Sequence, residues 1–287
     1  MAISGKTRVC GVIGDPIEHT LSPIMHNAAF EALKLDYVFL AFKVKPAEVG
    51  DAISGMRALT IHGLNVTMPH KSTVINYLDE IDQASKTIGS VNTILNKDGR
   101  LFGFNTDGIG ALKALRENGV EPRGKKVLLL GAGGAARAIA YILAQEAGEL
   151  VILNRTAKPA TELANLLIKT FNKKVIASAL TPRTIKDNLT DSDVLINATS
   201  VGMKPNANQT PVASEWLKAD LAVMDIVYDP VETKLAKNAK AVGAKVISGV
   251  EMLIYQGAAS FEIWTACKAP VEVMRKAALD HLDGVEG

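Results

Sequence analysis

The sequence predicts an α/β protein of two domains, one built on a doubly wound parallel sheet and a smaller one with a mixed, mostly parallel sheet. Three observations carry this. Short apolar strands alternate with amphipathic helices along nearly all of the 287 residues, which is the rhythm of βαβ units. Runs such as Val127-Leu128-Leu129-Leu130 contain no polar residue, as expected of strands covered on both faces. The chain is also long enough for two separate cores, and its pattern changes near residue 107.

Before that point strands are expected at 8–14, 37–44 and 63–67, with helices at 23–33, from Pro46 onward, and at 70–78. A hairpin follows, 90–95 against 101–105, around Asn96-Lys97-Asp98-Gly99, whose Asp-Gly suits a tight turn. Beyond it, 108–118 reads as a linking helix stopped at Asn118-Gly119. Strands are then expected at 127–130, 150–153, 175–179, 194–197, 223–227 and 245–247, with clear helices at 135–147 and 160–171. Two last helices, 252–264 and 271–282, are expected to pack back on the first domain and make it discontinuous. The expected division is 1–107 with 250–287 for substrate and catalysis, and 108–249 for the dinucleotide.

Composition narrows the partners. Hydrophobic residues make up 48% of the chain, charged residues 22%, and the net charge is +2. That balance excludes nucleic acid and an anionic membrane as expected partners, so any basic patch is local and its target small. Cys10 and Cys267 lack metal-ligand spacing, so no metal site is expected and both read as thiols of a reducing cytoplasm. Neither a signal-peptide core nor a run of about 18 apolar residues is present. The expected location is cytoplasmic.

The motif with most chemical content in the second half is Gly131-Ala132-Gly133-Gly134-Ala135-Ala136. Its G-x-G-x-x-A spacing follows an expected strand and opens an expected helix. There the first glycine permits the turn, the second admits a pyrophosphate, and the helix N-terminus offers free N–H groups. This is the fingerprint of a Rossmann dinucleotide domain. The next strand ends at Asn154-Arg155-Thr156-Ala157-Lys158, without the carboxylate that binds the ribose 2′-hydroxyl of NAD. Arg155, Thr156 and Lys158 suit a 2′-phosphate instead, so NADP is preferred. A solvated basic turn is the plainer alternative for these residues.

In the first half, polar side chains collect where strands should end. Thr20 and Ser22 precede a helix with Pro23 in its first turn. They can present hydroxyls to a small anion, or Ser22 can simply cap the helix. Asn65, Thr67 and Lys71 lie around one expected strand end, and Asn92-Thr93 and Asn105-Thr106-Asp107 repeat an Asn-Thr pattern. So many amides and hydroxyls suit a polyhydroxylated small molecule. Lys71 and Asp107, an ammonium and a carboxylate ahead of a dinucleotide fingerprint, suggest proton transfer coupled to hydride transfer. A helix cap at Asp107 and a solvated Lys71 are the alternatives from these residues alone.

Taken together these blocks strongly resemble the shikimate dehydrogenase family along essentially the whole chain. The matching stretches are His19–Pro23 with His26-Asn27, Asn65–Lys71, Gly89–Thr93, Gly103–Asp107, Gly131–Ala136, Asn154–Thr156, Asn197–Met203, Asp225–Pro230 and Gly249–Gln256. The resemblance implies reversible NADP-linked reduction of 3-dehydroshikimate to shikimate, on the way to chorismate and aromatic amino acids. It implies Lys71 and Asp107 as catalytic dyad. Thr20, Ser22, Thr67, Asn92, Tyr228 and Gln256 would hold substrate, with Asn65 close by. Gly131, Ala132, Gly133, Gly134, Ala135, Asn154, Arg155, Thr156 and Lys158 would hold NADP, with Thr199, Met203, Ile226 and Gly249 near the nicotinamide.

Thr20 departs from the family's usual Ser, and its methyl narrows the carboxylate end of the site. A dual quinate/shikimate enzyme, with NAD use, is therefore the enzymatic alternative, against which Arg155 and Lys158 count. From another class, a dinucleotide-binding sensor without turnover would have no need of Lys71 and Asp107. The sequence does not distinguish a monomer from a homodimer.

Overall fold

A computed structural model describes residues 3–286. It contains two compact units that divide at Thr106/Asp107 and at Leu253/Ile254, the chain's last part belonging with its first. The first unit contains β1 (Arg8–Gly14), α1 (Ser22–Ala32), β2 (Tyr37–Lys43), α2 (Val49–Ala58) and β3 (Gly63–Val66). Then come β4 (Glu80–Ile81), α3 (Gln83–Ile88), β5 (Thr93–Lys97) and β6 (Arg100–Phe104). The second unit contains α4 (Asp107–Glu117), β7 (Lys126–Leu130), α5 (Gly134–Glu146), β8 (Glu149–Asn154), α6 (Ala157–Phe171) and β9 (Val175–Ala179). It continues with α7 (Pro182–Leu189), β10 (Val194–Asn197), β11 (Ala222–Asp225), α8 (Lys234–Ala241) and β12 (Lys245–Ile247). Helix α9 (Gly249–Thr265) begins in the second unit and ends in the first, which α10 (Val271–Glu286) completes by packing on α1.

The first unit's sheet has the order β2-β1-β3-β5-β6-β4. Strands β2, β1 and β3 are parallel, β5 runs antiparallel to both β3 and β6, and β4 joins β6 in parallel. The β5–β6 hairpin turns through Asp98 and Gly99, both with positive φ (54° and 85°), the backbone that an Asp-Gly turn supplies at little steric cost. Its core gathers Ile13, Ile53, Met56, Leu64, Ile94 and Leu101, all fully buried.

The second unit's sheet, β12-β11-β10-β7-β8-β9, is parallel throughout. Strands β10 and β11 are buried at every position, and β7 and β8 nearly so. This is the doubly wound order, reversing direction between β7 and β10, with ligand space outside the carboxyl ends there.

Two expectations are corrected, and the open choice at Ser22 is decided. Residues 70–78 form a 3-10 helix, Thr73–Tyr77, in place of a full α-helix. The Lys71 carbonyl accepts the Val91 N–H at 2.8 Å, a bond outside the helix, and the β-branched run Thr73-Val74-Ile75 weakens helix propensity. Strand β11 stops at Asp225, not at 227, because the Val227 N–H turns back to Asp225 Oδ1 at 3.2 Å. Ser22 does not cap α1: Leu21 holds that place, with no side-chain cap bond. The short β4 and α3, the latter capped by Asp82 at 2.7 Å, are not among the expected elements. A two-residue strand carries too little periodicity to read.

One buried group gives the first unit a pH dependence. His26 is completely buried, stacked on Phe39 at 4.4 Å and near Trp264 at 5.3 Å. Neither ring nitrogen has a hydrogen-bond partner. Burial alone holds its pKa down to about 3 from the usual 6.5, since the apolar ring cluster cannot solvate an imidazolium. The unfolded chain takes up this proton first, so its contribution is fully present above pH 6.5 and is lost as pH falls toward 3. The expected loss is about 1.4 kcal/mol per pH unit within that window. Urea unfolding of His26→Phe between about pH 7 and pH 4 should show a flatter pH profile than the unmodified protein.

Candidate active site

In the first unit the polar residues of three strand ends and one helix converge. The Asn65 amide nitrogen at the end of β3 donates to the Asn92 carbonyl at 3.1 Å and lies 3.1 Å from Ser260 Oγ. Asn92, 2% exposed, donates to Thr106 Oγ1 at 2.9 Å and to Gln256 Oε1 at 3.3 Å. Its Oδ1 accepts the Thr106 N–H at 2.8 Å and the Thr93 hydroxyl at 2.9 Å. Thr93 and Ser260 hydroxyls are 2.8 Å apart. Buried amides and hydroxyls in such numbers must satisfy one another. The exception is Asn65 Oδ1, which has no partner.

Sequence reasoning missed Ser260, although it stands four residues after Gln256 on α9 and therefore on the same helical face. Asn105, expected in this cluster, turns instead to Ser90, donating to its carbonyl at 3.0 Å.

Thr20 and Ser22 pair as expected of neighbouring hydroxyls, Thr20 Oγ1 donating to Ser22 Oγ at 3.2 Å. The Ser22 N–H donates to Thr20 Oγ1 at 3.3 Å. The Ser22 hydroxyl therefore serves no helix cap and pairs with Thr20. Thr67 follows β3, half-buried, its N–H on the Ile13 carbonyl at 3.0 Å. The adjoining turn is pinned from both sides of Lys71. His70, 1% exposed, has Nε2 2.7 Å from the Val44 carbonyl, and the Lys71 carbonyl accepts Val91. Lys71 itself is half-buried. His70 has a role that residue type alone did not reveal.

In the second unit the glycine-rich turn sits at the switch between β7 and β10. Gly131 has φ +112°, and a Cβ on it would lie 2.6 Å from the Ala198 carbonyl. Both facts require glycine. Gly133 is the N-cap of α5, and a Cβ there would meet nothing within 4 Å. Open space thus lies before a helix N-terminus whose first N–H groups have no helical acceptor, which fits a pyrophosphate. Ala132 and Ala135 flank this turn, Ala132 buried. Arg155, Thr156 and Lys158 follow β8 and are exposed. The Asn154 amide holds their turn by donating to the Thr156 carbonyl at 2.9 Å. Lys158 lies 3.9 Å from Glu162, and no carboxylate ends β8, so the donor set fits a phosphorylated ribose.

Across the crevice of this sheet, Thr199 and Met203 belong to the turn after β10, Ile226 and Tyr228 to the loop after β11, and Gly249 opens α9. Gly249 approaches that loop closely, its Cβ position 2.6 Å from the Val227 carbonyl. Burial and neighbouring Asp229 push the Tyr228 phenol above its ordinary pKa. Asp107 is the buried first residue of α4, one peptide bond beyond Thr106 of the polar network. Among the described residues no cluster of three or more His, Cys, Asp or Glu offers a metal site, and no helix is long and apolar enough to cross a membrane.

A parallel sheet with this turn at its switch point, in one chain with a second α/β unit rich in buried amides, defines a two-unit dinucleotide-binding α/β protein. Comparison with known proteins narrows it further. Residues 12–94 match the shikimate dehydrogenase substrate binding domain, 114–240 the shikimate / quinate 5-dehydrogenase model, and 249–279 the shikimate 5′-dehydrogenase C-terminal domain. A shikimate dehydrogenase (NADP+) of Methanopyrus kandleri is 49% identical over 285 residues, 98% of each chain. A crystal structure of a shikimate dehydrogenase in complex with NADP+ superposes with a TM-score of 0.92 at 46% identity, covering 98% of both chains. The Thermus thermophilus shikimate 5-dehydrogenase in complex with NADP(H) and shikimate gives 0.86 at 34% identity, covering 96% of this chain and 99% of that one. The chain belongs to the shikimate dehydrogenase family.

Gly131→Ala should lower the unfolding free energy by about 1–3 kcal/mol, from a strained φ and a contact with Ala198. Denaturant titration of the variant beside the unmodified protein measures this directly.

Proposed function

We propose that the chain catalyses the reversible NADPH-dependent reduction of 3-dehydroshikimate to shikimate, the first unit holding the substrate and the second the cofactor. The observation that carries the reading is the buried amide and hydroxyl network around Asn92. Its centre, Asn65, Asn92 and Thr93, lies in the segment matched as substrate-binding domain, and Thr106 at its edge precedes Asp107 in the chain. Bound NADPH supplies the hydride that reaches C3 of the substrate.

In this direction the Lys71 ammonium polarises the C3 carbonyl and delivers a proton to its oxygen as the C3–H bond forms. In oxidation neutral Lys71 takes that proton back from the C3 hydroxyl. Asp107 is the carboxylate of the proposed dyad and binds the adjacent hydroxyl. Thr20 and Ser22 receive the substrate carboxylate, with Thr67, Asn92, Tyr228 and Gln256 binding its remaining oxygens. Asn65, bonded inward to Asn92 and Ser260, keeps Asn92 in place.

Gly133, Gly134 and Ala135 would hold the cofactor's pyrophosphate, and Arg155, Thr156 and Lys158 its 2′-phosphate. Thr199, Met203, Ile226 and Gly249 would border the nicotinamide.

Lys71→Ala should reduce kcat about a hundred- to ten-thousandfold with the shikimate KM changed much less. Steady-state kinetics that show a raised KM and intact kcat would move Lys71 from chemistry to binding. Arg155→Ala should raise the KM for NADP about tenfold or more while leaving that for NAD near its starting value.

The reaction is tested by following reduced nicotinamide absorbance with shikimate or quinate, each with NADP or NAD. Turnover confined to shikimate with NADP supports the proposal. Comparable rates with quinate make Thr20 the specificity residue to revert to Ser, and NADP binding without any turnover would favour a sensor.

A further inference from the structure

The second unit contains a buried carboxylate for which the reaction proposed above has no use. Asp225 ends β11 with 2% exposure. Its Oδ1 accepts from Asn197 Nδ2 at 2.9 Å and from the Val227 N–H at 3.2 Å, and its Oδ2 from the Thr233 hydroxyl at 2.6 Å. Each of these donors belongs to a different piece of the crevice wall.

Asn197, fully buried at the end of β10, has its whole amide engaged. Its Oδ1 accepts both the N–H and the hydroxyl of Thr199 at 3.1 and 2.7 Å, and its Nδ2 also donates to the Val201 carbonyl at 3.2 Å. The Thr199 hydroxyl in turn accepts the Val201 N–H at 3.1 Å. Thr233 caps α8 by accepting the Ala236 N–H at 3.2 Å. Val227 belongs to the loop against which Gly249 packs.

One side chain therefore ties the turn after β10, the loop after β11 and the start of α8. Both tied loops lie on the β10–β11 side of the switch point, opposite the basic turn after β8 in the order β12-β11-β10-β7-β8-β9. In a doubly wound sheet the two halves of a dinucleotide occupy the two sides of that switch.

We propose that Asp225 is a positioning residue for the nicotinamide half of the cofactor site, acting through Asn197 and the Val227 amide. It touches no reacting atom. It holds the loops that carry Thr199, Met203 and Ile226 in the conformation that receives the ring. This rests on the cofactor reading above.

The test compares direct binding of NADP with that of adenosine 2′,5′-bisphosphate, which carries the adenine half and the 2′-phosphate but no nicotinamide, by calorimetry without substrate. Asp225→Ala should weaken NADP about tenfold, the effect of losing buried charge-assisted bonds, and leave adenosine 2′,5′-bisphosphate within about twofold. Asp225→Asn should keep NADP within about threefold of the unmodified protein. An asparagine oxygen still accepts from Asn197 and Val227, and its NH2 group can donate to the Thr233 oxygen.

Equal weakening of both ligands, unchanged NADP affinity, or an asparagine variant as impaired as the alanine one would each overturn the assignment. Should Asp225→Ala not fold, Asn197→Ala carries the same test, because it frees the Thr199–Val201 turn and leaves Asp225 bonded to Thr233 and Val227. Selective loss of NADP supports the proposal, and equal or absent loss overturns it. An unmodified protein that binds neither ligand would refute the cofactor reading instead.

Discussion

Polar groups buried at strand ends must be paired inside the protein, and both units are organised around this constraint. Leaving such a group unpaired costs roughly 1–3 kcal/mol, so each amide or carboxylate recruits partners from several elements and fixes their relative positions. In the first unit Asn92 ties β5 to Thr106 and to Gln256 of α9. In the second, Asp225 and Asn197 do the same for the loops after β10 and β11. The apolar sheets supply rigid strand ends, and the polar networks convert those ends into defined loop conformations.

The second recurring device is close backbone approach. Gly131 and Gly249 occupy places where a Cβ would fall 2.6 Å from a carbonyl oxygen. These contacts set two walls of one crevice, the glycine turn against the β10 loop and the start of α9 against the β11 loop. A dinucleotide is bound largely through backbone N–H groups and a helix dipole, so its recognition depends on backbone placed without side chains in the way. The networks and the close approaches solve the same problem. They hold irregular chain still where a ligand must be met.

Lys71 is treated differently from the buried amides. Its neighbours His70 and Val91 immobilise the backbone on either side, while its side chain stays half-buried. The proton-transfer role proposed for Lys71 would need such a fixed anchor and an ammonium that can meet substrate. The segment that follows is a 3-10 helix, Thr73–Tyr77.

The sequence by itself determined the fold class and the position of most long elements, since apolar period and glycine spacing are local signals. It also marked the glycine turn, the carboxylate-free end of β8, and the Asn-Thr repeats, because residue type alone limits what those places can bind. Only the tertiary structure decided the rest. Ser22 was open to a capping role and proved a hydroxyl paired with Thr20. Residues 70–78 read as an α-helix and form a 3-10 helix, Thr73–Tyr77, beside a long-range bond from Val91 to the Lys71 carbonyl. Ser260 joined the Asn65 and Thr93 cluster from 167 residues away, and Asp225 became a hub through donors as far as 28 residues off. The physical reason is the same in each case: hydrogen bonds between residues distant in sequence leave no periodic trace, so which buried polar groups meet is settled only when the strands align.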